Sequence, residues 1–181
     1  MTNNEQALIK NENANFEATK VIGLISDTHV PKRAITIPSK VFEFFKNVDF
    51  IIHAGDLVDM SVIDDLEEIA PVLAVHGNMD SLDVKNMLPE LNLLKVFGWK
   101  IGVMHDPDIS SGPENMEKIA REKCFNVFVY GHTHSAKIKW EDKRLFINPG
   151  SPTDPAALGI ERSVAILKIT KETITPQIMT I

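Results

Sequence analysis

A single cysteine, Cys124, stands in the 181 residues, so no disulfide can close within the chain. That excludes a disulfide-stapled secreted scaffold and makes a reducing, cytoplasmic setting the expectation. Cys124 itself ends a helical pattern and reads as a small core residue. No apolar run approaches the length that crosses a bilayer, and the N-terminus lacks the basic-then-apolar pattern of a secretory signal. No membrane partner is expected. Cations are also short: 19 Lys and Arg face 25 Asp and Glu, the net charge is −6, and the basic residues are dispersed. Stable nucleic-acid binding through a bulk electrostatic grip is therefore not expected. The length suits one domain with a full core and leaves no room for a large cap. A homo-oligomer is left open.

What the chain does have is a series of short polar fragments, each directly after an apolar, β-branched run. Asp27-Thr28-His29 follows residues 21–25, Gly55-Asp56 follows 50–52, Gly77-Asn78 follows 72–75, and Gly131-His132-Thr133-His134 follows 127–130; a fifth run, 101–104, delivers His105. Strands of an α/β sheet place their carboxyl ends along one edge, so these residues can converge although distant in sequence. Together they are oxygen and nitrogen ligands suited to divalent manganese, iron, nickel or zinc.

Residues 1–19 are rich in Asn, Glu, Gln and Lys, and are expected to form a flexible extension ahead of a single domain over 20–181. Helices are expected over 39–47, over 61–69 with Ser61 as N-cap, and over 114–123 after Gly112-Pro113. Alternation of strand and helix in the first half implies parallel strands. Residues 93–97 and 100–104 read as a hairpin around Gly98-Trp99. Segments 127–130, 136–140 and 145–148 are expected to build a second sheet, completed by 164–169 and 173–181. By themselves these patterns support α/β with added antiparallel strands.

The ordered series Asp27-x-His29, Gly55-Asp56, Gly77-Asn78, His105 and Gly131-His132-x-His134 resembles the calcineurin-like metallophosphoesterase superfamily. Ser26-Asp27-Thr28-His29, Asn148-Pro149-Gly150-Ser151 and the compact length are similar to its small archaeal and bacterial phosphodiesterase branch. The resemblance implies a four-layer α/β/β/α sandwich with two central mixed sheets. It also implies that Asp27, His29 and His134 hold one metal ion, that Asn78, His105 and His132 hold a second, and that Asp56 bridges them. Asp56, Asn78 and His105 are the residues expected to be catalytic. The implied cofactors are two divalent metal ions, manganese ahead of nickel, iron or zinc. The implied reaction is hydrolysis of a small phosphodiester by a metal-bridging hydroxide.

Elementary electrostatics agrees with that assignment: two cations about 3.5–4 Å apart repel, and a shared carboxylate offsets the repulsion. His53 and His76, inside apolar strands, read as packed or supporting histidines. Lys32 and Arg33 read as solvated surface charge before phosphate contacts, and Asn148-Pro149-Gly150-Ser151 is equally well a turn. Two departures from the family pattern stand out. Asp106 replaces the usual glycine after His105, and would either orient His105 through its second ring nitrogen or shape the loop. Met79 follows Asn78 where larger members carry the histidine that protonates the leaving group, and Asp80 is the adjacent acid. The competing readings are a phosphomonoester phosphatase and a non-catalytic protein-binding scaffold resembling the small retromer subunit. The full ligand set weighs against the scaffold. A nuclease of the double-strand-break repair type resembles longer chains with that histidine present.

Overall fold

The computed structural model describes residues 18–107, 114–155 and 159–181. The expected extension lies outside them except for residues 18 and 19, as does the Gly112-Pro113 pair. In chain order the elements are β1 (Lys20–Ile25), α1 (Ser39–Phe45), β2 (Phe50–His53), α2 (Ser61–Glu67), β3 (Val72–Ala74), α3 (Leu82–Met87) and β4 (Leu91–Val96). Then come β5 (Trp99–Met104), α4 (Glu114–Glu122), β6 (Val127–Val129), β7 (Lys137–Glu141), β8 (Arg144–Asn148), β9 (Ser163–Ile169) and β10 (Ile174–Thr180). They form two five-stranded mixed sheets, ordered β10-β9-β1-β2-β3 and β4-β5-β6-β8-β7. Strands β1, β2 and β3 are parallel neighbours, as are β5, β6 and β8.

The period-two alternation of the strands explains the layers. Ile22 and Leu24 of β1, Ile52 of β2, Val127 and Val129 of β6, Leu145 and Ile147 of β8, and Ala165, Leu167 and Ile169 of β9 share one core between the sheets. Alternate residues Ile25, Ile51, Val164 and Ile166 face the other way, packing with Val41 and Phe45 of α1 and Val62 and Leu66 of α2. On the far side Phe128 and Phe146 turn toward Met116 and Ala120 of α4. Helix, sheet, sheet and helix are thus the four layers expected, each interface closed by one face of a strand.

Several local expectations are corrected. Strands β9 and β10 extend the first sheet beside β1, not the second. Strand β9 is apolar on both faces, which suits an interior position covered on both sides, and β10 closes its edge. The hairpin turns at Phe97-Gly98, with φ of 49° and 90°, one residue earlier than read; this left-handed pair matches the twist of a two-residue loop. Ser61 is the first helical residue of α2, and its amide takes the Asp59 carboxylate at 2.9 Å instead. Helix α3 was not expected. Ser81 caps it, accepting from the Val84 amide at 3.4 Å, but Val84 is its sole buried residue, so no apolar stripe announced it. Cys124 is exposed, not packed. It ends α4 at φ 56°, its amide reaching the Arg121 carbonyl while that of Phe125 reaches Ala120. That is the reversal that closes a helix, and it carries the side chain outward.

Candidate metal centre

The carboxyl ends of β1, β2 and β3 share one edge of the first sheet, and those of β5 and β6 one edge of the second. The loops leaving them are tied together. The Asp27 amide donates to the Gly55 carbonyl at 3.0 Å, that of His29 to Asp56 at 3.0 Å, and that of Gly131 to His105 at 2.9 Å. Asp27, His29, Asp56, His132 and His134 all have positive φ, from 47° to 67°. Non-glycine residues resist that region, and five such positions at one place mark backbone strained to aim side chains inward. Gly131 makes the approach of the sheets feasible: a Cβ there would lie 1.9 Å from Ser26 Oγ and 2.8 Å from Asp27 Oδ2.

All seven expected ligands gather here. His134 Nε2 lies 3.1 Å from His29 Nε2 and 3.4 Å from Asp27 Oδ1. Asn78 Oδ1 lies 3.1 Å from both His105 Nε2 and His132 Nδ1. Asp56 Oδ2 stands between the groups, 3.3 Å from His105 Nε2 and 3.8 Å from His29 Nε2. Two donors bound to one ion at about 2.1 Å are roughly 3–3.4 Å apart, so the spacings other than the 3.8 Å between Asp56 and His29 fit donors sharing a cation. Charge points the same way. Asp27 and Asp56 are 0% and 2% exposed, and among the described residues their ion-pair partners are all imidazoles. Two buried carboxylates that meet imidazoles and no lysine or arginine form a setting that suits a cation.

The second nitrogen of three histidines is anchored, which fixes the tautomer and leaves the other nitrogen to face the centre. His105 Nδ1 donates to the Ala54 carbonyl at 2.8 Å, and His134 Nδ1 to the Asp154 carbonyl at 2.6 Å. His132 Nε2 lies 3.1 Å from Asp106 Oδ2. Asp106 therefore orients His132, not His105, because Ala54 already occupies the His105 nitrogen.

Further supports were not legible in the sequence. Asp80 turns away from the centre and accepts the amides of Asp56 at 3.1 Å, Gly77 at 2.6 Å, and Val58, clasping two ligand loops. Asp154 meets His134 and pairs with Arg33, so Arg33 is an ion-pair partner rather than plain solvated charge. Ser151 Oγ donates to the Asp27 carbonyl at 2.8 Å, and Asn148 Nδ2 to that of Gly131 at 2.7 Å. The Asn-Pro-Gly-Ser segment is thus a brace under two loops as well as a turn. His53 packs as expected, its Nδ1 taking the Gly55 amide and its Nε2 lying 3.1 Å from Thr28 Oγ1.

Burial dominates the titration of these groups. It pushes His53 down to about 3 and His29 down to about 4, and raises Asp27 above the usual carboxylate range. Burial opposes charge on Asp56 too, but the hydrogen bond from His105 and its positive charge outweigh it and hold the carboxyl low. For His105 burial is likewise overcome, by the bond to Asp56 and the charges of Asp27 and Asp56, which raise it to about 8.

Comparison with known proteins shows the family. A probable metallophosphoesterase of Methanocaldococcus jannaschii is 41% identical over 139 residues, 76% of this chain and 70% of that one. A phosphodiesterase of the same organism is 32% identical over 137 residues, 71% of this chain and 82% of that one. Among solved structures, vacuolar protein sorting 29 from Cryptosporidium parvum superposes with a TM-score of 0.75 at 20% identity, covering 90% of this chain and 99% of that one; this likeness is one of fold. Residues 21–172 match the calcineurin-like phosphoesterase superfamily domain, and with two sheets whose ligand-bearing edges meet, the chain belongs to that superfamily.

Proposed function

We propose that the protein is a metal-dependent phosphodiesterase with a dinuclear centre. Asp27, His29 and His134 would hold one ion, Asn78, His105 and His132 the second, and Asp56 Oδ2 would be shared. The observation that carries this is the position of Asp56 Oδ2 between two donor groups, within 3.3 Å of His105 and 3.8 Å of His29. Two divalent ions there, manganese first among the candidates, would acidify a water between them and offset the charge that builds on the phosphate oxygens.

The chain's own residues do the rest. Asp56 Oδ1 accepts the Met79 amide at 2.7 Å, which locks the carboxylate so that Oδ2 alone faces the centre. Asn78, exposed at the mouth, turns Oδ1 toward His105 and His132 and keeps its Nδ2 hydrogens for a phosphate oxygen. His132 stands at the same opening, 41% exposed. Met79, also 41% exposed, has no ionisable proton, and Asp80 is committed to backbone amides. The site therefore suits an ester whose leaving oxygen needs little help. Resemblance to the phosphodiesterase of Methanocaldococcus jannaschii supports a diester. The likeness to vacuolar protein sorting 29 fits the scaffold alternative.

The test is turnover of bis(4-nitrophenyl) phosphate against 4-nitrophenyl phosphate with manganese loaded. Faster hydrolysis of the diester is expected. Preference for the monoester would replace the reading with a phosphatase, and inactivity on both would favour the scaffold.

A further inference from the structure

A cavity of about 280 Å³ opens beside the centre. Asn78 and His105 form part of its wall, and the remaining side chains are His76, Lys85, Glu90, Asp106 and Met104. Met104 is the one apolar side chain among them. Most of the accessible wall is carbon, and three charged side chains, Lys85, Glu90 and Asp106, stand on it; an alkyl or aryl group laid over those three would take water from their polar atoms without giving them a partner.

The polar groups come from separate elements and carry both roles. Lys85, on α3, gives one hydrogen to the Asn78 carbonyl at 2.8 Å and retains two for a ligand. His76 also lines the cavity, and its Nδ1 is buried with no hydrogen-bond partner. Glu90, just before β4, supplies a carboxylate acceptor, and Asp106, just past β5, a second carboxylate whose Oδ2 meets His132. A hydroxyl group donates and accepts at once, and so can meet an ammonium and a carboxylate together. A second phosphate would face both acids, and an apolar arm would satisfy neither set. Space for a small polyol or one sugar ring matches the volume.

Building on the phosphodiesterase reading, we propose that this cavity receives one ester arm of the diester and selects a hydroxylated arm, a polyol or a pentose. The site would then act on diesters of glycerol-like or ribosyl alcohols ahead of simple alkyl or aryl ones.

The test keeps the leaving group constant and varies the other arm. Three 4-nitrophenyl phosphodiesters, with glyceryl, uridine-5′ and propyl arms, are compared on the manganese-loaded full chain. Glyceryl or uridine should exceed propyl by about tenfold or more in kcat/KM, and whichever is larger names the source. Glu90→Gln and, separately, Lys85→Met should bring the ratio toward one. Calorimetric titration of the loaded protein with glycerol 3-phosphate and with propyl phosphate gives a readout independent of turnover, and tighter binding of the glycerol ester is expected. Turnover of all three diesters at equal kcat/KM would overturn the pocket assignment and leave the phosphodiesterase reading standing. No turnover of any of them would remove the phosphodiesterase reading; the pocket assignment then falls too unless the glycerol ester still binds tighter and Glu90→Gln abolishes the difference.

Discussion

Met79 is where a single side chain changes the chemistry most. A positioned general acid contributes about 10²–10⁴-fold when the leaving group needs a proton. Without one, turnover should depend steeply on how well the leaving oxygen carries charge. Met79→His should narrow the ratio between an aryl and an alkyl diester at matched metal occupancy. A wild-type ratio near one, with chemistry rate-limiting, would show that another group already protonates the leaving oxygen. Asp80 is not that group in this structure, since its oxygens accept the amides of Asp56, Val58 and Gly77. Asp80→Asn turns an amide hydrogen toward one of those donors, and leaves at least one buried N–H unpaired. A loss of roughly 1–3 kcal/mol follows, readable by urea denaturation of the metal-free chain. Unchanged stability would mean the loops repack around the amide.

At the scale of elements, the strand-then-ligand pattern was readable because each ligand loop follows an apolar run of high β propensity. Helix α3 was not, since one buried valine gives no periodicity. The sheet to which β9 belongs was equally hidden: alternation reveals two apolar faces but not which neighbour supplies the hydrogen bonds. Gly131, just past β6, joins the two levels. Any side chain there meets Ser26 and Asp27 across the gap between sheets, so Gly131→Ala should lower both the melting temperature and manganese occupancy. Thermal unfolding with and without manganese, beside elemental analysis, checks this; full occupancy in the variant would show that the loops have room to separate.

For the whole molecule, ligands from five strand ends assemble only when both sheets fold, so ions that bind there should stabilise the fold. Manganese at about 100 times its dissociation constant contributes roughly 2.7 kcal/mol for each site, and two ions per chain are expected after loading. One ion by elemental analysis would sink the dinuclear assignment. The metal-free protein should also respond to pH on both sides of the ordinary histidine value. His53, lowered to about 3, and His29, lowered to about 4, contribute stability that is full above 6.5 and lost as pH falls toward those values. His105, raised to about 8, contributes stability present below 6.5 and lost as pH climbs through 8. Each group changes stability by up to about 1.4 kcal/mol per pH unit within its window. Urea midpoints in chelator at pH 5.5, 6.5 and 8.5 should therefore peak at the middle value. A monotonic rise to pH 8.5 would contradict the raised His105.

Residue type and local order alone determined which seven side chains gather at the centre, the alternation of buried faces and the positions of most strands, because those depend on side-chain chemistry and on periods of two and 3.6 residues. They also located Met79 as the break in the family pattern. Only the tertiary structure decided that Ala54 rather than Asp106 holds His105, that Asp106 serves His132, and that Asp80, Asp154 and Ser151 brace the ligand loops. The partners in these contacts lie up to 124 residues apart. Each depends on a backbone carbonyl, amide or carboxylate that another loop supplies: Asp80 and Asp106 meet partners on loops of their own sheet, whereas the His105–Ala54 and Ser151–Asp27 contacts exist only once the two sheets have met.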